Sequence, residues 1–252
     1  MSERAACSCR RVQSRTLNVE KAAPWYWEPF DLFKNSEVDA SAAFFSLTIE
    51  QRYNKGDYIL MANDPGRRIF FLESGIVKIF NLSPSGTQTI FWYCMKGDVF
   101  GAGAISGSPL QSVYAQAVEA CKVHFIARSD FEAVMKRYPQ IAINMITLMS
   151  ARLRLACDAL IDFSHHTAES RLARVLLRLG HHYGATVAVN HIALRIRMSH
   201  QELADMIGST RQTVNALLHE FSEHGWINLN GRDVVIVSQG DLQDRADTER
   251  HG

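Results

Sequence analysis

Arg211 and Gln212 are residue types that can read a base edge. A guanidinium presents two donors to O6 and N7 of guanine, and a carboxamide pairs a donor and an acceptor with N6 and N7 of adenine. Ser209, Thr210, Thr213 and Asn215 around them are short hydroxyl and amide side chains suited to phosphate oxygens. The frame of this cluster is legible. Ser199, with Glu202 three residues on, forms a capping box. Leu203, Ala204, Met206 and Ile207 make an apolar face, and Gly208 permits the left-handed conformation that ends a helix sharply. Ser209 or Thr210 can cap a second helix whose inner face is Val214, Leu217 and Leu218. The spacing predicts a helix-turn-helix from Met198 to His219, with the start of its second helix in the DNA major groove. A helical hairpin that only packs has no need of Arg211 and Gln212. From Gly225 to Val237, two alternating runs flank an Asn230-Gly231 turn, which predicts a β-hairpin wing.

Other residues with chemical potential are more scattered. Cys7, Cys9, Cys94, Cys121 and Cys157 are too few and too spread for a disulfide framework. Nine of the ten histidines lie from His165 onward, and their protonation in mild acid would strengthen DNA binding. A jelly-roll metalloenzyme of the cupin kind needs two His one residue apart and a carboxylate. The predicted sandwich contains only His124. The pairs His165-His166 and His181-His182 fall on helices outside it. No nucleophile triad or phosphate-cradling loop is visible, so a non-enzyme is expected.

The elements that position these residues follow from pattern. The 252 residues suffice for two domains, and 47% hydrophobic residues make the chain globular. The net charge of +1 points to no partner. Residues 165–240 hold seven Arg and no Lys against six Asp or Glu, so DNA affinity must come from charge placement. Residues 1–24 and 241–252 read as polar tails. Pro24 to Phe30 is an aromatic knot expected to dock, and Asp31 to Thr48 contains a short helix. From Tyr53 to Phe125, short strands alternate with glycine-marked turns, which predicts a β-sandwich or barrel within a 25–136 sensor domain. A long helix spans 137–164. On it Ile146, Met149, Leu153, Ala156, Leu160 and Phe163 recur in steps of three and four, a coiled-coil seam for a homodimer. Ile141, Met145, Leu148 and Leu155 form a second face toward the sandwich. A helix from Glu169 to His182 and a strand pair from Val187 to Met198 lead into the helix-turn-helix, within a 165–240 domain. No signal peptide or membrane span is visible, so the chain is expected to be cytoplasmic, with no membrane partner.

From about Phe33 to Val237 the chain resembles the CRP/FNR superfamily of bacterial regulators. The resemblance rests on the helix-turn-helix and wing, and on the segments Lys55 to Asp57, Ser74 to Lys78 and Gly97 to Gly101. It implies an α+β fold: an N-terminal β-roll of the cyclic-nucleotide-binding type, a dimerisation helix and a C-terminal winged helix-turn-helix. It implies double-stranded DNA, a second copy of the chain and RNA polymerase as partners. The family's effector pocket falls on Gly101, Ala102, Gln111, Ser112, Cys157 and Asp158. Cyclic-nucleotide binders carry Glu where Ala102 stands and Arg-Ser where Gln111-Ser112 stand. A buried phosphate without a cation is costly, so cyclic AMP is not expected. Iron-sulfur members use N-terminal cysteines plus one in the sandwich; the metal candidates here are Cys7, Cys9, Cys121 and His124. His124 with an N-terminal Cys could instead ligate haem. A thiol switch at Cys157, or no effector, are further readings. In the cyclic-AMP receptor protein a later Arg of the reading helix also touches a base, and Ala216 stands there.

Overall fold

The computed structural model describes Tyr26, residues 29–105 and residues 110–248. Among the described residues the first α-helix is α1 (Ala40–Ser46), after which strand and turn alternate: β1 (Ile49–Tyr53), β2 (Tyr58–Leu60), β3 (Arg68–Ser74), β4 (Val77–Leu82), β5 (Gln88–Cys94), β6 (Val99–Phe100), β7 (Tyr114–Ala117) and β8 (Cys121–Ala127). These strands form two antiparallel sheets, ordered β1-β8-β3-β6 and β2-β7-β4-β5. Period-2 alternation sorts each strand. On β8, Cys121 and Val123 face the core between the sheets, while Ile126 faces a second core under the helices.

Two helices leave the sandwich, α2 (Arg128–Arg137) and α3 (Pro139–His165). Pro139 sits in the first turn of α3, where its fixed φ suits helix entry. Ile141, Met145 and Leu148 are buried in the second core, whose other walls include Phe44, Phe71 and Phe131. Asn144 locks the same face by donating to the carbonyls of Leu32 (2.8 Å) and Lys34 (2.9 Å). The opposite stripe has no cover: Ile146, Leu153 and Leu160 are each about two-thirds exposed, and Met149, Ala156 and Phe163 are also exposed.

The remaining elements are α4 (Ala168–Tyr183), β9 (Gly184–Ala188), β10 (His191–Leu194), α5 (His200–Ile207), α6 (Arg211–Glu223), β11 (Ile227–Asn230), β12 (Asp233–Ile236) and α7 (Gln239–Ala246). The wing is wider than a hairpin, being a four-stranded sheet ordered β11-β12-β10-β9. The expected polar tail at 241–252 is corrected over its described part, residues 241–248, which are folded. Ser238 caps α7, whose Leu242 and Ala246 are fully buried. Its polar surface is used in bonding. Glu169 pairs with Arg245, Arg174 donates to the Ala246 carbonyl, and Ser170 donates to that of Thr248. The expected tail at 1–24, with Cys7 and Cys9, lies outside the described residues.

A single apolar core runs from Phe80, Ile90 and Tyr93 of the sandwich into Leu172, Leu176, Leu203 and Phe221 of the C-terminal domain. Polar ties cross the same junction. Lys78 pairs with Glu202 at 3.2 Å, Gln88 donates to Asp205 at 3.0 Å, and the Tyr183 hydroxyl donates to the Tyr93 carbonyl at 2.8 Å.

Candidate nucleic-acid interface and sensor site

The reading head is built as its spacing predicts. Ser199 accepts from the Glu202 amide and Glu202 returns a carboxylate to the Ser199 amide, the complete capping box. Burial pushes the Glu202 carboxyl up, but the Ser199 amide and the Lys78 ammonium together hold it below its usual value. Gly208 ends α5 at φ 59°, and a Cβ there would lie 2.6 Å from the Phe163 ring. Only glycine gives both the left-handed turn and that close approach. Thr210 caps α6 by accepting from the Thr213 amide at 3.1 Å, and the two hydroxyls are 2.9 Å apart. Val214 and Leu218 are buried, which turns Arg211, Gln212 and Asn215 to solvent. Ser209 and Thr213 are half-buried at the rim.

The wing is stapled beside the head. Arg197 grips the Asp233 carboxylate with two bonds, of 2.7 and 3.1 Å. This leaves Arg232 exposed next to the Gly231 turn. Sequence reading passed over Arg232; the signal available was a basic residue at the tip of a predicted wing.

Phe163, assigned to the seam, has a second role. Its ring lies against Gly208 and beneath the Arg171 guanidinium, 5.2 Å from the ring centroid. Arg171 donates to the Ile207 carbonyl (2.8 Å) and to that of His166 (2.8 Å). The end of α3 is therefore in contact with the turn that aims α6.

At the sensor end, Gly101, Ala102 and Gln111 come together. Gly101 has φ 74°, and a Cβ there would meet the Phe70 ring at 2.8 Å. Gln111 is buried and its carboxamide lies 3.5 Å from the Gly101 carbonyl. Ser112 is exposed, and Cys157 is half-buried on α3. Asp158 faces elsewhere, accepting from the Tyr26 hydroxyl at 2.5 Å and pairing with Arg154 at 3.3 Å. Burial, with Asp158 next, raises the Tyr26 hydroxyl above its usual value. Tyr26 of the predicted aromatic knot is thus docked on the long helix.

The metal candidates separate. Cys121 and His124 are three apart on one strand, so they point to opposite faces and cannot share an ion; the joint assignment is corrected on that ground. The Cys121 thiol is buried, donates to the Ile76 carbonyl at 3.3 Å, and is pushed up by that burial. His124 has both ring nitrogens engaged, Nε2 with Glu73 at 2.5 Å and Nδ1 with Thr48 at 3.1 Å. Glu50, Glu73 and His124 converge closely enough to hold a cation. The Lys122 ammonium already occupies that role, 3.0 Å from each carboxylate.

A β-sandwich, a long helix and an exposed helix of a helix-turn-helix beside a wing define a DNA-binding transcription regulator with a cyclic-nucleotide-binding-like domain. Comparisons agree. Residues 50–138 match the cyclic nucleotide-binding domain and residues 170–245 the Crp-like helix-turn-helix domain. The chain is similar to the CRP-like cAMP-activated global transcriptional regulator of Mycobacterium tuberculosis, 26% identical over 217 residues, 85% of this chain and 96% of that protein. It is similar to the fumarate and nitrate reduction regulatory protein of Salmonella typhi, 27% identical over 191 residues, 75% of this chain and 74% of that one. Among solved structures, FixK2 from Bradyrhizobium japonicum aligns with TM-score 0.71 at 24% identity, over 80% of this chain and 98% of that one. A CooA mutant from Carboxydothermus hydrogenoformans aligns with TM-score 0.72 at 23% identity, over 87% and 97%. The chain belongs to the CRP/FNR superfamily of transcription regulators. Among the described residues, no helix is long and apolar enough to cross a membrane.

Proposed function

We propose that the chain acts as a homodimer that binds a near-palindromic promoter site and couples a signal in its N-terminal half to that binding. The observation that carries this reading is the pairing of a solvent-facing Arg211 and Gln212 on α6 with an uncovered apolar stripe on α3. The stripe supplies a two-fold axis, and two copies of α6 about it would enter successive major grooves about 34 Å apart. Arg211 and Gln212 read bases. Ser209, Thr210, Thr213, Asn215 and the wing's Arg232 set the helix on phosphates. RNA polymerase is the partner such a promoter-bound dimer would meet.

The signal differs from that of the cyclic-AMP-activated relatives. Ala102 and Gln111 offer neither a carboxylate for a ribose nor a cation for a phosphate, and the Gln111 carboxamide fills the space beside the Gly101 carbonyl. The test is selection of binding sites from a random duplex pool by the full chain. Wild type should yield a two-fold symmetric consensus, and Arg211→Ala should relax one position in each half-site at a cost of about 1–3 kcal/mol. An identical consensus from the variant would remove Arg211 from base reading.

A further inference from the structure

A cavity of about 380 Å³ lies where β5 and the turn after it, the inner side of α3 and the last two turns of α4 meet, with Tyr26 and Phe30 along its rim. None of the family-implied effector residues lines it. Nor does any residue of the exposed α3 stripe, so pairing through that stripe uses none of its walls. The volume suits a small ligand.

Its chemistry is uneven. Much of the lining is aromatic, including Tyr26, Phe30 and Trp92. The charges are four cations, Lys34, Lys96, Arg152 and Arg178, against two carboxylates, Asp31 and Asp98. His182 adds no charge at neutral pH, because burial, then His181 and Arg178, push it down to about 4. Arg152 stands over the Trp92 ring at 5.1 Å, and the Asp98 carboxylate is 3.9 Å away. Burial pushes the Asp98 carboxyl up, toward its neutral form. The half-buried Arg178 side chain lines the cavity and makes no hydrogen bond or ion pair among the described residues; burial pushes its guanidinium down although Asp162 opposes this. An anion in the cavity would give this guanidinium the partner it lacks, and its planar fork suits a carboxylate or sulfonate best.

We propose that this cavity binds a small organic anion with a flat aromatic body, of the aryl carboxylate or aryl sulfonate class. Arg178 and Arg152 take its charge, and Trp92, Tyr26 and Phe30 hold its body. Met206 of α5 also lines the cavity, so an occupant touches the sandwich, the long helix and the helix-turn-helix at once. The regulatory consequence rests on the DNA-binding reading above; the binding itself does not.

The experiment is fluorescence titration of the full-length protein with anilinonaphthalene sulfonate, without DNA. Phenylnaphthylamine is the uncharged counterpart. Saturable binding of one sulfonate per chain is expected. Arg178→Gln should weaken it about tenfold or more, since a charge-assisted bond is lost. Arg178→Lys should recover part of that loss, and phenylnaphthylamine should bind both variants alike. Leu155→Trp, which fills the cavity from α3, should abolish both probes even if the Arg178 variants fold poorly. No saturable sulfonate site in the folded protein overturns the proposal. So does a site indifferent to Arg178→Gln and to Leu155→Trp. A protein that binds its selected DNA but not the probe overturns this inference alone, whereas probe binding without DNA binding removes only the functional reading.

Discussion

At the DNA-reading end, Arg211, Gln212 and Asn215 come from five consecutive residues of one helix. At the junction of the two domains, the charged walls of the cavity come from segments spread between Asp31 and Arg178. The first site is held by local devices: a capping box, a glycine turn and a threonine cap, all within 15 residues from Ser199 to Thr213. The second exists only once two domains pack. A local site has its chemistry written in its spacing, whereas an assembled one owes its chemistry to packing, which half-buries Arg178 and His182 and pushes both of their pKa values down. Both regions touch α3, whose Phe163 lies against the Gly208 turn and whose Arg152 lines the cavity.

The largest effect is expected at the exposed α3 stripe. Leu153→Glu puts a carboxylate into the exposed stripe of each copy. Light scattering should show a monomer, and affinity for a two-half-site duplex should fall about a hundredfold or more as bivalency is lost. A dimer of unchanged mass would place the axis elsewhere.

Gly208→Ala probes the contact between the long helix and the reading head. The left-handed φ and the collision with the Phe163 ring together should cost about 2 kcal/mol. Phe163→Ala in the same background should return part of that loss in denaturant unfolding. A neutral Gly208→Ala would mean that the turn and the long helix are not in firm contact.

His182 separates the assembled site from the local one by pH. Its folded value lies near 4 and its unfolded value near 6.5. The unfolded chain therefore takes up the proton first as pH falls, and the native state loses stability across that window. Between pH 7 and pH 5 the loss from this group is about 2 kcal/mol. Replacing His182 by Asn should flatten the thermal stability profile there. An unchanged slope would show that the ring is solvated in the native protein.

Arg232→Ala should have a smaller effect, uniform across DNA sequences. It should reduce the salt dependence of binding by about one phosphate contact per chain. A change in base preference would instead make the wing a reader. The weakest expected effect is at the Lys78–Glu202 pair between the domains. A double-mutant cycle with Lys78→Met and Glu202→Gln should give a coupling of about 1 kcal/mol or less, because part of Glu202's role is the capping box.

Legibility in the sequence followed the same division. The helix-turn-helix, its caps and the exposed stripe were readable because each is a short-range pattern carried by one helix or one turn. The role of α7 was hidden. Its buried contribution is Leu242 and Ala246 in an otherwise polar run, and their partners lie some 70 residues earlier, beside Glu169 and Arg174. The separation of Cys121 from His124 was within reach, since a spacing of three on a strand always splits faces. The cavity was not, because no segment lining it carries a ligand motif by itself; Arg152 and Arg178 lie on different helices and come together only where α3, α4 and β5 pack.

Hydroxyl-radical footprinting of the full-length protein on its selected duplex would show whether two copies of α6, related by the α3 stripe, lie on one face of a near-palindrome. Two equivalent protected patches centred about 10 base pairs apart, related by the symmetry of the site, are expected. A single patch, or two patches whose spacing does not follow one helical turn, would rule that arrangement out.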